Sequence, residues 1–132
     1  MTKIDLSYVI EQKDGKKELI KLNDKNLFDE VAREWAEAIK RTKKTQARNY
    51  YDQLLSLQDR IKEEDFESVY PFIKMLNSKV AYGVTRRVVS NEFQEMMKQC
   101  LEQITNDKKG EQQFKHFKLF FEAVLGFFKG SN

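Results

Sequence analysis

The spacing of apolar residues along the chain predicts a protein built mainly of amphipathic helices. From Leu27 onward, hydrophobic side chains recur every three or four residues, which is the period of one helix face. The repeat falls into five segments, spanning Phe28 to Ile39, Ala47 to Ile61, Val69 to Val80, Phe93 to Ile104 and Phe114 to Phe128. With one proline and five glycines in 132 residues, the chain has few helix breakers. We therefore predict an all-α fold, a small bundle of about five amphipathic helices.

Residues that favour helix N-termini precede four of the five segments. These candidate caps are Asp24 or Asn26, then Thr42 or Thr45, then Asp65, then Ser90. Neither Gly nor Pro occurs between residues 27 and 63, so the first two segments are also compatible with one continuous rod that would allow helix exchange between subunits. Residues 105–110, TNDKKG, are predicted to form a loop before the fifth helix.

The first 22 residues follow a different pattern. Apolar and polar residues alternate weakly there, and Asp14-Gly15 stands between two such runs, which is a hairpin signal. An isolated hairpin is only marginally stable in water. We expect residues 1–22 to form a peripheral N-terminal hairpin or a mobile arm, and residues 23–132 to form the helical bundle domain.

Bulk composition narrows the class of protein. Hydrophobic residues make up 40% of the chain, enough for one core in one domain. The single cysteine, Cys100, excludes an internal disulfide and favours a reducing, cytoplasmic location. The polar N-terminus does not resemble a signal peptide, and no apolar run approaches the roughly 18 residues that cross a membrane. We expect a soluble protein without a membrane partner.

Positive charge is segregated along the chain, although the net charge is only +3. Residues 40–48 contain five cations and no acid, and residues 68–91 contain four more, again without an acid. These windows hold nine of the 24 basic residues, so the rest of the chain carries 15 basic against 21 acidic residues. Such segregation creates a local positive field that attracts polyanions. Alternatively, cations near helix ends simply complement the helix dipole.

The two basic windows contain candidate contacts for nucleic acid. Their stripes consist of Lys44, Arg48 and Tyr51 on the second helix, and of Lys79, Tyr82 and Arg86 on the third. Both stripes are predicted to lie beside the core and to form one basic face, with Lys43 and Arg87 next to them. Arginine and lysine pair with phosphates, and tyrosine can stack on a base or donate its hydroxyl. Gly83 costs helix stability, which would be tolerated if another backbone or a ligand comes close.

Catalytic chemistry has little support in the sequence. His116 is the only histidine, and its setting indicates an ordinary ring rather than a general base. Cys100 lies on an apolar stripe and is interpreted as a core thiol. Residues 63–65, Glu-Glu-Asp, are interpreted as an acidic loop rather than a metal site. We predict no catalytic residues, no metal site and no cofactor.

Three blocks of the sequence resemble the small subunit of the type III-A CRISPR effector, the Csm complex. They are TKKTQARNYYDQLLSLQ at residues 42–58, YPFIKMLNSKVAYGVTR at residues 70–86 and FKLFFEAVLGFFK at residues 117–129. Family positions are met in the first block by Gln46, Arg48, Tyr50 and Tyr51, in the second by Lys74, Leu76, Lys79, Val80, Ala81, Tyr82 and Arg86, and in the third by Phe120, Phe121, Glu122 and Ala123. Residues 1–22 carry no part of the resemblance.

The resemblance implies a non-catalytic RNA-binding subunit that acts in antiviral defence. Several copies would stack along the duplex of guide RNA and target RNA, contacting mainly the target strand, beside other effector subunits that carry the catalytic activities. Two alternatives stay open. One is a helical protein–protein interaction module whose anchors are exposed aromatics of the fifth helix, which carries phenylalanines around much of its circumference. The other is a small hydrolase or nuclease, whose activity would depend on His116 or Glu63.

Overall fold

The computed structural model describes residues 1–13, 15 and 17–132 and shows a helical bundle with an N-terminal β-hairpin. The strands are β1, Tyr8–Lys13, and β2, Lys17–Leu22. A π-helical segment, Leu27–Val31, leads directly into α1, Ala32–Ala38. The other helices are α2, Lys44–Glu63; α3, Phe66–Lys74; α4, Leu76–Thr85; α5, Asn91–Glu102; and α6, Lys108–Phe127. Only Met75 separates α3 from α4, so the pair corresponds to the single third helix that was predicted. The predicted fold class is confirmed.

The hairpin projects from the bundle, and the residues before it do not. Its antiparallel strands pair Tyr8 with Leu22 and Ile10 with Ile20, and Gly15 in the turn has φ +67. The predicted hairpin is therefore confirmed, although Asp14 of the turn signal lies outside the described residues. Ile4 and Leu6, by contrast, are buried in the core of the bundle.

Polar side chains of α5 and α6 hold the segment that precedes the hairpin. Gln99 and Gln103 accept hydrogen bonds at 2.9 and 2.8 Å from the backbone N–H groups of Ile4 and Leu6. His116 is buried and places Nδ1 2.9 Å from the carbonyl oxygen of Leu6. The single histidine therefore supports the fold, because its ring satisfies a backbone group that packing has removed from water.

Two of the predicted caps are confirmed and two helix starts differ. Asp65 accepts a hydrogen bond from Ser68 N at 2.7 Å, and Ser90 accepts one from Phe93 N at 3.1 Å. Helix α2 begins after Lys43 and has no side-chain cap, so the assignment to Thr42 or Thr45 is wrong. Neither Asp24 nor Asn26 caps the first helical segment through its side chain: Asn26 holds the cap position without such a bond.

The continuous rod over residues 27–63 does not form. The chain leaves α1 at Ile39 and turns, and Lys43 is extended with ψ 136 before α2 begins. Both Ile39 and Thr42 are fully buried in this turn. Tertiary burial and hydrogen bonds to distant segments therefore break a stretch that helix propensity alone leaves intact.

Helix α6 lies at the centre of the bundle and packs against α1 and α2. Its Phe117, Phe120 and Phe121 are fully buried, and Phe127 and Phe128 are half-buried. The expectation that the phenylalanines of this helix form exposed anchors for a partner is therefore wrong. A helix that is apolar on several sides is here surrounded by its own chain.

The loop predicted for residues 105–110 ends earlier than expected, since α6 starts at Lys108. Asp107 caps it by accepting a hydrogen bond from Gly110 N at 2.7 Å. Gly110 is buried, and a Cβ atom at this position would lie 1.6 Å from the carbonyl oxygen of Thr105. The loop can therefore cross the first turn of α6 only because residue 110 has no side chain.

We predict opposite effects of alanine at two glycines of α6. Gly110→Ala should lower the free energy of unfolding by roughly 2 kcal/mol or more, because the Thr105 backbone must move. Gly126→Ala is the matched control: no atom lies within 4 Å of a Cβ there, so the unfolding free energy should rise by up to about 1 kcal/mol. Urea denaturation of both variants tests this, and equal effects would contradict the close approach at Gly110.

Candidate nucleic-acid interface

The two basic windows of the sequence meet where α2 begins and α4 ends. Lys43 N donates a hydrogen bond to Val88 O at 3.2 Å, and the buried Thr42 hydroxyl lies 3.0 Å from the Ser90 hydroxyl. Ser90 N also donates to Thr42 Oγ1 at 3.0 Å. These contacts bring together four exposed cations, which we call the basic corner: Arg41, Lys43, Arg86 and Arg87.

The chain end also packs against the start of α2. Ser131 N donates to Thr42 O at 3.1 Å, and Lys44 N donates to Ser131 O at 2.9 Å. Gly130 has φ +58 and lies against Lys44 and Phe128, where a Cβ would approach both to 2.6 Å. The carbonyl oxygen of Ser131 therefore accepts a hydrogen bond from the first N–H group of α2, and α2 has no side-chain cap.

The stripe on α4 lies on the surface, as its spacing predicted. Lys79, Tyr82 and Arg86 are all exposed, with Tyr82 at 64%. The Arg86 guanidinium lies 5.4 Å from the centre of the Tyr82 ring, which suits a cation–π contact. Lys79 Nζ reaches across to α2 and donates to Gln53 Oε1 at 3.1 Å. This stripe presents two cations and one aromatic ring along the side of α4 that borders α2.

The stripe on α2 is placed differently from the expectation. Lys44 and Arg48 are exposed, but Tyr51 is only 6% exposed and donates its hydroxyl to Glu122 Oε1 of α6 at 2.8 Å. Tyr51 therefore does not lie on a solvent-facing stripe, and its hydroxyl already has a partner. Burial first, and then the bond to Glu122, raise the pKa of Tyr51 to about 12.

The two stripes do not form one continuous face. Arg48 lies beside Tyr51, on the flank of α2 next to α6, with its guanidinium 5.7 Å from the ring centre. Lys79 contacts Gln53, and five residues along a helix correspond to a rotation of about 140°. The exposed back of α2 therefore separates Lys44 and Arg48 from Lys79 and Arg86, and the expectation of a single basic face is wrong in this respect.

Most of the candidate cations form no ion pair with a described carboxylate. Arg48 Nε lies 3.7 Å from Asp52 Oδ1, and both side chains are well exposed, so this pair is weak. Within the described parts of the chain, Lys43, Lys44, Lys79, Arg86 and Arg87 have no carboxylate within 4.0 Å. Their charge is therefore available to an external anion.

Two residues of the second window have internal roles. Lys74 donates from Nζ to the carbonyl oxygen of Leu101, near the end of α5, and its burial lowers the pKa of the ammonium group. Gly83 is buried, and a Cβ there would lie 3.1 Å from the Tyr50 hydroxyl, which donates to Lys79 O at 2.8 Å. Protein packing, not a ligand, accounts for this glycine.

Sequence reasoning missed Arg41 as a member of the site. Arg41 and Arg87 line one shallow surface depression together with Ser90 and Glu92. Arg41 lies in the first basic window, three residues before Lys44 and seven before Arg48, but it lies in the turn between α1 and α2, so this helical spacing does not place it on the α2 stripe. Only the fold of the turn between α1 and α2 places it beside the end of α4.

Groups that could carry out catalysis are engaged elsewhere. Both ring nitrogens of the buried His116 have partners, Leu6 O at 2.9 Å and Gln112 Nε2 at 3.0 Å. Cys100 is fully buried, which raises its pKa well above the usual value for a thiol. Over the described residues, no group of three or more His, Cys, Asp or Glu side chains could hold a metal ion. In the same residues, no helix has the length and apolar character needed to cross a membrane.

Fold and surface together define a class: a small helical bundle whose exposed cations, at one corner and along its neighbouring helices, mostly form no ion pair with a described carboxylate. A family model described as Csm2 Type III-A matches residues 21–132. The chain belongs to this family, the small subunit of the Csm complex, which is the type III-A CRISPR effector. Other subunits of that effector are therefore its partners. No curated protein and no solved structure matched the chain.

We predict a pH-dependent effect of Tyr51→Phe. Near pH 8 the variant should lose about 1 kcal/mol of unfolding free energy with the bond to Glu122. The folded protein holds the Tyr51 proton more tightly than the unfolded chain, whose tyrosine titrates near pH 10. Wild-type stability therefore falls as pH rises from about 10 towards 12, and the variant lacks this loss.

Denaturation series at rising pH test this prediction. The difference in unfolding free energy between wild type and Tyr51→Phe should shrink above about pH 10. Tyr82→Phe, at a ring that is 64% exposed, is the matched control and should leave stability at pH 8 unchanged. A difference that stays constant as the pH rises would show that burial of the Tyr51 hydroxyl is not as described.

Proposed function

We propose that this chain is a non-catalytic RNA-binding subunit that stacks with copies of itself along the duplex of guide RNA and target RNA. The observation that carries the proposal is the set of exposed cations at the basic corner and on α4 that have no described carboxylate within 4.0 Å. A cation that is not held by a carboxylate can donate charge-assisted hydrogen bonds to a phosphate and release the counterions condensed on the RNA, without first breaking an ion pair. Membership of the Csm2 family supports RNA as the polyanion.

The stripe on α4 suits a phosphate backbone better than a base edge. Lys79 and Arg86 are seven residues apart, so their Cα atoms are about 10.5 Å apart along the helix axis. Two cations at that distance can contact non-adjacent phosphates of one strand, and the exposed ring of Tyr82 between them can stack on a base or ribose. Phosphate contacts carry no sequence information, so we expect binding that is independent of target sequence.

Lys44 and Arg48 form a second contact area in this proposal. They lie on the opposite flank of α2 and start from the same basic corner, through Lys43. A strand that passes over the corner can continue along only one flank, so a second strand or a neighbouring subunit meets the other. We assign the principal contact with the target strand to the α4 flank, where neither Lys79 nor Arg86 has a described carboxylate within 4.0 Å.

The absence of catalysis in the proposal is supported by where the reactive side chains lie. His116 packs against the N-terminal segment, and Cys100 lies in the core. Glu63 is the last residue of α2 and Glu64 follows it, and Glu64 Oε2 pairs with Arg60 Nε at 2.9 Å. None of these four side chains forms a surface pair of a base and a nucleophile, which bond cleavage by acid–base chemistry requires.

We predict that the double variant Lys79→Ala/Arg86→Ala loses RNA affinity to a similar extent for unrelated sequences. The slope of log affinity against log salt is negative, and removing two phosphate contacts should reduce its magnitude by about 1.4 on single-stranded RNA. Fluorescence anisotropy with two RNAs of different sequence, between about 50 and 200 mM salt, measures both quantities.

The matched control removes the same charge at the other end of the bundle. Lys108 and Lys109 are exposed at the start of α6, and this 20-residue helix is about 30 Å long and ends next to the residues that contact Lys44. Lys108→Ala/Lys109→Ala should leave affinity and salt slope nearly unchanged. An equal loss in both double variants would mean that net charge, and not this surface, attracts the RNA.

A second candidate function is supported by an apolar surface that borders the α4 stripe at Lys79. Phe72 and Met75 are 43% and 47% exposed, and they line a groove between α2 and α3 together with Arg60 and Lys79. The guanidinium of Arg60 lies 4.5 Å from the centre of the Phe72 ring. Exposed aromatic and methionine side chains beside arginine are typical of protein interfaces. We propose that this groove binds another subunit of the effector.

We predict that Phe72→Ser/Met75→Ser reduces recovery of the chain with the other effector subunits roughly tenfold, because it removes the buried centre of that interface. Leu119→Ser, at a residue of α6 that is 39% exposed, is the control and should copurify normally. Copurification after mild purification of the complex measures the effect. Normal recovery of the double variant would exclude the groove as an interface.

A further inference from the structure

The backbone at the end of α4 has an unusual residue in a well-defined position. Arg87 has φ +60 and is the one residue other than glycine with positive φ among the residues that the structure describes. Val88 N donates to Gly83 O at 3.0 Å, and Arg87 N donates to Val84 O at 2.9 Å. This pair of bonds defines a Schellman motif, in which the left-handed residue is usually glycine. Arg87 therefore occupies a position where a side chain reduces stability.

The surroundings of Arg87 do not compensate for that conformation through its charge. Its side chain is exposed, and no described carboxylate lies within 4.0 Å of it. Arg41 lines the same shallow depression and is likewise exposed and without such a pair. Two guanidinium groups that share a depression repel each other, and Glu92, which also lines it, forms no described ion pair within 4.0 Å with either of them, so this repulsion also reduces stability.

Two costs at one place indicate a ligand that offsets both. A phosphodiester group has two anionic oxygens that share one charge, and a guanidinium group can donate two parallel hydrogen bonds to it. Glu92, in the first turn of α5, lines the same depression and repels an anion, so we expect an anion there to contact the guanidinium groups of Arg41 and Arg87. An acidic peptide would bring more carboxylate charge towards Glu92, which favours a single phosphate.

We propose that Arg41 and Arg87 together bind one phosphate of the RNA backbone, and that Arg87 occupies a glycine position because of this contact. The proposal rests on the RNA-binding function proposed above and adds to it a specific subsite at the basic corner. The proposal predicts a combination of effects that a residue with only a structural role would not give: replacing Arg87 by glycine should stabilise the protein and weaken its binding to RNA.

Three single variants of the full chain test the subsite. Arg87→Gly should raise the melting temperature by roughly 2 to 5 °C, since glycine adopts positive φ freely. It should weaken binding to a short single-stranded RNA roughly tenfold and reduce the magnitude of the salt slope by about 0.7. Arg87→Ala is the matched control for strain, because it loses the same affinity while its melting temperature stays near that of wild type.

Arg41→Ala tests whether the two arginines share one phosphate. Its affinity should fall about as much as that of Arg87→Ala, and the double variant should lose less than the product of the two single losses. Full multiplicativity would show that the two side chains contact separate groups and would overturn the shared subsite. Wild-type affinity in Arg87→Gly, or an unchanged melting temperature in that variant, would overturn the role assigned to Arg87.

The outcomes separate this inference from the proposed function. If the variants of Arg41 and Arg87 bind RNA as wild type does while Lys79→Ala/Arg86→Ala loses affinity, the subsite is wrong and the RNA-binding surface stands. If none of these variants changes affinity, or the wild-type chain does not bind RNA, the proposed function fails together with the subsite.

Discussion

The arrangement of the surface depends on the hydrogen bonds that join the start of α2 to the segment after α4. Thr42 has no exposure to solvent, and its hydroxyl accepts from Ser90 N, while Lys43 N donates to Val88 O. Buried polar groups of this kind are costly when unpaired, so these bonds hold the two segments in one geometry. The junction ends α1, sets the direction of α2 and places four cations at a single corner.

Two tyrosines of α2 connect the core to the surface that carries the cations. Tyr50 and Tyr51 extend from α2 through the packed interior, and each ends in a hydrogen bond, to Lys79 O and to Glu122 Oε1. Burial raises the pKa of Tyr50, and the positive charge of Arg86 opposes that rise. The rings that fill the core therefore also fix the flanks on which Lys79 and Arg48 lie. Because a tyrosine ring is apolar and its hydroxyl is polar, one residue can both fill the core and form a hydrogen bond that fixes a neighbouring helix.

Local rules accounted for much of the fold and for part of the site. The helical period placed the five helices, Asp65 and Ser90 were identified as caps, and Lys79, Tyr82 and Arg86 lie on the surface as their spacing predicts. The same rules failed at Tyr51, whose position on the helix lies near the edge of the apolar stripe. A residue at that edge is exposed or buried according to what packs beside α2, and here α6 does.

The sequence by itself determined that the protein is a helical bundle, that two windows carry basic residues without acidic ones, and that its motifs are those of a type III-A small subunit. These properties depend on residue type and on spacing within single helices, which are local. Only the tertiary structure decided that Arg41 joins Arg87, that Lys74 turns inward and that Lys44 and Lys79 lie on different flanks of α2. Each of these depends on contacts between residues far apart in sequence, and burial and hydrogen bonding across helices are the forces that choose among them.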